Sequence, residues 1–332
     1  MDSFKIIYEG TTIKDSIEVR KYIPESIIVI DKQENYGSSY TDIASLAASK
    51  YVHGLKIFKE PPSNTQLTIE AMPQLLRMND PCVTVIKKLG IAPFLKFAKI
   101  EHVFYFKDKV YPIPHNRGEI AISEFLSNRD KFYLNRDLNG EYLRLTHYIN
   151  QENVGILLKG ITGRHDAHLP TLERFINNFG NTPFLYPVYG MKEITEMIAR
   201  CNAISGVNYL ISSDLEKSNN VIKSKLGVVK GEKYISGLFK KGKCRYIRVV
   251  NTKQFLFFKS YYAVFDGPEL INCICLDSTA KTCAPGTYLL YFWKYESEIC
   301  IEELMKIGLK KESIIADFSY RNEIEYEWDV VG

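Results

Sequence analysis

The chain opens on a short apolar run, Phe4-Lys-Ile-Ile-Tyr-Glu9, closed by Gly10, which predicts a strand. Residues 12–23 carry Ile13, Ile17, Val19 and Tyr22 on a partial apolar face, the pattern of a helix. Ser26-Ile-Ile-Val-Ile-Asp31 follows and is apolar on both faces, as strands buried in parallel sheets are. Strand, short helix and strand within this span predict a right-handed β-α-β crossover.

A polar stretch at 32–39 precedes helical patterns around 40–50, 70–79 and 82–96, with a loop at Pro61-Pro62-Ser63-Asn64. His102–Phe106 and Val110–Ile113 flank Lys-Asp-Lys and predict a hairpin. Residues 116–180 change character to helical spacing. Ile120, Ile122, Phe125 and Leu126 form one apolar group, and Tyr142, Leu145 and Ile149 a second. Val154, Ile156, Leu157 and Leu158 form a third, and Leu172, Phe175, Ile176 and Phe179 a fourth. After 185 the strand pattern returns. A helix at 190–203 leads to Val207–Ile211, then hairpins over Lys225–Val250 with Lys240-Lys-Gly-Lys243 at a tip. Strands follow at 255–265, 270–276 and 288–295, and a helix at 300–309. The prediction is an α/β chain. A Rossmann-type, FAD/NAD-binding-like sheet domain is built from 1–115 and 181–332, and a small helical subdomain at 116–180 is inserted into it.

Composition narrows the function classes. The chain has 332 residues, 45% hydrophobic and 25% charged, as a globular protein does. Its net charge of +4 is spread among interspersed acids and bases, so no concentrated patch points to nucleic acid. The seven Cys are scattered, and Cys273-Ile-Cys275 has one intervening residue where zinc pairs have two to four. No signal-peptide pattern, spanning apolar run or C-terminal prenylation Cys is read, so the expected location is the cytoplasm, with reduced thiols.

The first strand-to-helix turn is where a dinucleotide phosphate loop would stand. A working loop reads G-x-G-x-x-G, its second glycine letting the backbone approach the pyrophosphate. Here the stretch is Gly10-Thr11-Thr12-Ile13-Lys14-Asp15, with only the first glycine kept. Thr12 puts a β-branched side chain at the phosphate position, and Asp15 adds a negative charge that suits the helix start but repels phosphate. Asp31 ends the second strand, where a ribose-binding acid would sit. The expectation is a retained fold with no cofactor.

Two segments carry a specific resemblance. One is Ile28-Val-Ile-Asp31-Lys-Gln-Glu-Asn35-Tyr36-Gly37. The other runs Gly180-Asn-Thr-Pro183-Phe-Leu-Tyr186-Pro-Val-Tyr189-Gly190-Met-Lys-Glu193, and on through Arg200 to Gly206-Val-Asn-Tyr209-Leu210. Together they resemble the Rab GDP-dissociation inhibitor and Rab escort protein family, and weaker similarity extends through Glu70–Leu76 and Phe104–Pro114. The resemblance implies a non-enzymatic protein descended from flavoprotein folds, which binds GDP-bound Rab GTPases and slows GDP release. It implies a Rab-binding platform whose matching positions are Tyr36, Glu193, Arg200, Asn208 and Leu210. It also implies that 116–180 shelters the geranylgeranyl lipid of the Rab, that membrane contact is transient, and that the escort branch would engage Rab geranylgeranyl transferase. Residues 116–180 are shorter than the family's helical domain, and the family's paired glycines are Gly37-Ser38 and Gly206-Val207 here.

The residues themselves support a bland reading beside each sharp one. Glu193 and Arg200 are seven apart on one helix face, which fits a platform or a solvated face with a Glu196–Arg200 pair. Met191, Ile194, Ile198 and Cys201 form the stripe expected to face the core. His165-Asp166-Ala-His168 reads as loop chemistry before Pro170 and not as a metal pair. Two other classes stay open: a flavin or nicotinamide oxidoreductase, and a degenerate scaffold for some other partner.

Overall fold

The computed structural model describes residues 2–33, 36–136, 149–165, 172, 175–176, 182–237, 241–257 and 259–324. Its first sheet contains the predicted crossover. β1 (Asp2–Glu9) lies parallel to β2 (Ile27–Asp31), and α1 (Ile13–Val19) connects them, prolonged by a 3-10 turn at Arg20–Tyr22. All five residues of β2 are buried, as an apolar run without alternation requires. β10 (Asn208–Ile211) pairs in parallel with β2, and β13 (Gly227–Ser236) in parallel with β1. An antiparallel ribbon of β11 (Glu216–Ser218) and β12 (Val221–Ser224) completes the order β10-β2-β1-β13-β12-β11. β10 is therefore an edge strand.

The second sheet is larger and almost wholly antiparallel. Its order is β4 (His53–Lys59), β18 (Ile314–Ile324), β14 (Lys241–Thr252), β17 (Tyr288–Lys294), β16 (Ile271–Leu276), β15 (Tyr261–Phe265), β7 (His102–Phe106) and β8 (Val110–Pro112). One face packs against α4 (Arg117–Ile122), α5 (Asn128–Arg136) and α6 (Gln151–Thr162), together with the buried helical residues Leu172, Phe175 and Ile176. Tyr105, Val249, Tyr262 and Trp293 from the sheet share that core with Ile120, Leu134 and Leu157 from the helices. The other face buries Phe292, Cys273 and Tyr261 under Leu304 of α8 (Ile301–Lys306).

Short elements join the two sheets. β3 (Ser39–Tyr40) pairs with β5 (Ile69–Glu70), and β6 (Phe97–Ile100) with β9 (Phe184–Pro187). α2 (Ile43–Ala47) follows β3. α3 (Pro81–Lys88) and α7 (Lys192–Ile204) share one apolar cluster with Ile13 of α1.

Several sequence expectations need correction. Residues 70–79 are not helical: Glu70 belongs to β5, and Pro73 interrupts the apolar spacing that suggested a helix. The helix expected at 82–96 stops at Lys88, where Gly90 adopts φ +65°, and a 3-10 turn at Ala92–Phe94 leads into β6. The helix around 40–50 is only Ile43–Ala47, and the strand over 255–265 begins at Tyr261. Tyr142, Leu145, Phe179, Lys240, Asp166 and His168 lie outside the described residues, as do the side chains of Lys241 and Lys243.

Candidate partner-binding surface

The crossover turn has been rebuilt around carboxylates. Thr12 caps α1, its hydroxyl accepting from the Asp15 backbone N–H at 3.1 Å. In return Asp15 accepts from the Thr12 backbone N–H at 3.0 Å and from the Thr12 hydroxyl at 2.7 Å. This is a reciprocal capping box, and it uses the amide donors that a phosphate would need. Tyr8 also donates its phenol to Asp15, at 3.2 Å. Gly10, at φ +130°, lies so close that a Cβ there would stand 2.5 Å from an Asp15 oxygen. The one retained glycine thus makes room for a side chain and not for a ligand.

Asp31 is engaged too. It is almost fully buried and accepts from the Thr11 hydroxyl at 2.7 Å and from Lys50 Nζ at 3.0 and 3.1 Å. The Gln33 backbone N–H donates to it at 3.3 Å. With the Thr12 amide held by the Asp15 carboxylate, the Asp15 amide by the Thr12 hydroxyl and the ribose-position acid by an ammonium, these residues do not fit a dinucleotide.

That rigid turn supports the loop that carries Tyr36. Gly37 donates its N–H to the Thr11 carbonyl at 3.1 Å. The Gly37 backbone also abuts α7: a Cβ there would lie 3.1 Å from Thr195 Oγ1 and 3.6 Å from the Lys192 Cα. The Tyr36 ring meets Tyr209 of β10 edge-on, with centroids 5.7 Å apart. Burial raises the Tyr36 phenol above its usual pKa, and the nearby Glu196 carboxylate adds to the shift. Tyr209 is pushed up to about 12, mainly by burial. Asn202 of α7 fixes it from behind, donating to the Tyr209 hydroxyl at 3.3 Å and to the Ser16 carbonyl at 2.8 Å, while accepting from Arg20 at 2.7 Å.

α7 buries Ile194, Thr195, Ile198, Ala199 and Asn202, with Met191 buried just ahead of its first turn. Helical spacing then aligns Glu193, Glu196, Arg200 and Ile204 on the outer side. Glu193 is half-buried, Glu196 and Arg200 are exposed, and Ile204 is 80% exposed. On β10, Asn208 is exposed and Leu210 half-buried, and strand alternation turns both away from the face that holds Tyr209. Tyr36, Tyr209 and the Lys192–Glu196 turn thus form one contiguous surface, with Glu193 and Arg200 on the same helix. Leu210 instead packs near Ile28 and Ile30 on the far face of the sheet.

A buried acid positions α7. Glu70 is fully enclosed and accepts from the Met191 backbone N–H at 2.8 Å, the Ser39 hydroxyl at 2.7 Å and the Tyr186 phenol at 3.2 Å. Ser39 in turn accepts from the Lys192 backbone N–H at 3.0 Å. Gly190, at φ +101°, is the residue that lets this carboxylate in, since a Cβ there would lie 2.3 Å from Glu70 Oε1. Burial raises the Glu70 pKa, opposed by those three hydrogen bonds and by the Lys192 charge.

The family model described as "GDP dissociation inhibitor" matches residues 168–256, the stretch that contains α7 and β10. The chain is 22% identical to the Rab GDP-dissociation inhibitor of Saccharomyces cerevisiae, over 71% of this chain and 61% of that protein. This chain is similar to Rab GDP-dissociation inhibitors and Rab escort proteins. It is 21% identical to the human Rab proteins geranylgeranyltransferase component A 2, over 62% of this chain and 36% of that protein. It therefore spans about three fifths of the length of its yeast relative and less of the human one. Among solved structures, the Rab GDI of Plasmodium falciparum superposes with a TM-score of 0.73 at 17% identity, covering 97% of this chain and 89% of that one. An oxidoreductase from Methanosarcina mazei follows at 0.57 and 12% identity, covering 96% and 88%. The scaffold is thus the Rossmann-like fold of both groups, as the crossover unit predicted.

Sequence reasoning did not single out Glu196 beyond a possible Arg200 partner, nor Tyr209 or Glu70 as parts of the surface. Glu70 had a faint signal, an acid in an otherwise apolar stretch ahead of Pro73. Its role depends on Gly190, which is distant in sequence, so spacing could not reveal it.

Proposed function

We propose that this chain is a non-enzymatic regulator of Rab-type GTPases, binding the GDP-bound form through Tyr36, Glu193, Arg200 and their neighbours. One observation carries the reading: the family-matched segment holds α7, whose outer stripe adjoins the Tyr36–Tyr209 pair. A rigid aromatic pair next to opposed charges and an exposed Ile204 offers the mixture of anchors and polar contacts that protein partners use. Asn208 and Leu210 point away from Tyr209 on β10 and so lie outside this contiguous surface.

The same reading gives 116–180 the task of sheltering the partner's geranylgeranyl lipid, with the protein moving between cytoplasm and membrane. Burial of such a chain stabilises by about 0.8 kcal/mol per methylene, so a soluble carrier needs an apolar recess. A cavity of about 350 Å³ between the β7–β8 hairpin and α4, lined by Val103, Phe104, Val110, Ile122 and Phe125, supports this. Among the described residues no helix is long and apolar enough to cross a membrane.

The decisive experiment is a pull-down with GDP-loaded and GTP-loaded Rab. Preference for the GDP form is expected, and equal or absent binding of the two rejects the reading. Tyr36→Ala and Arg200→Ala should each weaken the complex roughly tenfold, the effect of losing about 1.4 kcal/mol. Adding Rab geranylgeranyl transferase separates the branches, since a ternary complex would assign the escort role.

A further inference from the structure

A second recess lies on the helix-covered face of the large sheet. Its walls come from the segment after β5, from the C-terminal end of α6, and from β14 through β17. The void measures about 50 Å³ and is lined by Arg77, Arg245, Trp293 and Tyr295 among others. A water needs on the order of 10–15 Å³ by this measure, so the space holds a few waters or one small oxyanion.

The chemistry of the walls favours the oxyanion. Arg245 is only 2% exposed, and its guanidinium lies 5.4 Å from the Trp293 ring and 5.6 Å from the Tyr295 ring. Arg77 sits at 5.8 Å from the Phe184 ring on the opposite wall. The Trp293 indole N–H, buried on a residue 6% exposed, has no hydrogen-bond partner. Such a buried orphan donor is costly unless a ligand or water accepts from it. The Thr162 hydroxyl is engaged, donating to the Leu158 carbonyl, so it adds no donor to the void. Among the described residues that line the recess, none is an Asp or Glu. Each guanidinium carries five N–H donors, so other partners of Arg245 still leave capacity for a ligand.

We infer that this recess is a binding site for a small oxyanion, a carboxylate or a phosphate, held by Arg77, Arg245 and the indole N–H of Trp293. Planar guanidinium forks match two-oxygen acceptors, and the surrounding aromatic walls strengthen the charge interaction by excluding water. The site is independent of the partner-binding reading and stands or falls apart from it.

The chain has two tryptophans, so a Trp328→Phe background leaves Trp293 as the sole indole reporter. Its emission is followed while inorganic phosphate or acetate is titrated at constant ionic strength set with chloride. A saturable change with one of the two probes is expected, and the responding probe identifies the class. The thermal midpoint should rise with the logarithm of that probe's concentration. Arg77→Gln, at a half-buried position, should weaken the response at least fivefold, and Arg245→Gln should abolish it if circular dichroism shows a folded chain. No saturable response beyond that of chloride overturns the inference and leaves the recess to water. An Arg77→Gln protein that titrates like its parent overturns it as well.

Discussion

At the scale of single residues, the two acids of the crossover turn are bonded internally, at the positions where a dinucleotide's pyrophosphate and ribose would be held. Asp15 satisfies the helix start and Tyr8, and Asp31 is held by Lys50 and Thr11. Restoring the glycines should therefore not restore binding. In Thr12→Gly with Asp15→Gly, the cap changes at a cost of a few tenths of a kcal/mol, glycine inside α1 costs about 1 kcal/mol, and the Tyr8 phenol loses its acceptor. The sum is a loss of about 2–4 kcal/mol in denaturant unfolding. Equilibrium dialysis with NAD or FAD should still find no affinity, because Asp31 stays occupied by Lys50, and micromolar binding would defeat this account. The missing glycines were legible in the sequence. Lys50 as the partner of Asp31 was not, because that contact depends on how the chain returns after β3.

At the scale of elements, α7 owes its start to Glu70. Its apolar stripe was readable from period 3.6, and the burial of Ile194 and Ile198 follows that pattern. Its N-terminal anchor was not, since β5 lies more than a hundred residues earlier. Glu70→Ala leaves the Met191 N–H and the Tyr186 phenol without their acceptor in a closed interior and opens a cavity, a loss of about 3 kcal/mol or more. Glu70→Gln keeps the shape and separates charge from packing. Burial raises the Glu70 pKa in the folded state, so the folded protein holds this proton more tightly than the unfolded chain does. Ionising it costs stability as the pH rises from the ordinary glutamate value through the folded one, and none of that cost is present below both. Unfolding measured across that window should show a falling contribution in the parent that is absent in Glu70→Gln. Parallel curves for the two proteins would refute it.

At the scale of the whole molecule, the strap around β5 couples the large sheet to the proposed surface. Tyr291 of β17 donates to the Thr68 carbonyl and accepts from the Glu70 N–H, Tyr320 of β18 donates to the Glu70 carbonyl, and Asn322 donates to the Ala71 carbonyl. Glu70 then passes this support to the first turn of α7. The fold class was readable from the first 31 residues, where period and burial agree. Ala316, Phe318 and Tyr320 of β18 alternate with Asp317, Ser319 and Arg321 as a strand does, but its place between β4 and β14 depends on partners distant in sequence and was not legible. Asp317 is tolerated there because Arg248 meets it with two hydrogen bonds, at 2.8 and 2.6 Å. The coupling has a consequence at a distance. Tyr291→Phe combined with Tyr320→Phe removes hydroxyls that are remote from Tyr36 and Arg200, yet it should loosen the strap and with it the start of α7. Loss of these buried hydrogen bonds costs about 1 kcal/mol each, with more for the carbonyls left unpaired. Amide exchange at residues 189–196 should accelerate several-fold in the double variant, while exchange in β2 stays unchanged. Partner affinity should fall by a similar factor, because the surface must be re-ordered before it binds. Unaltered protection at 189–196 would mean that α7 is held by its own packing against α1 and α3, and the strap would then serve the large sheet alone.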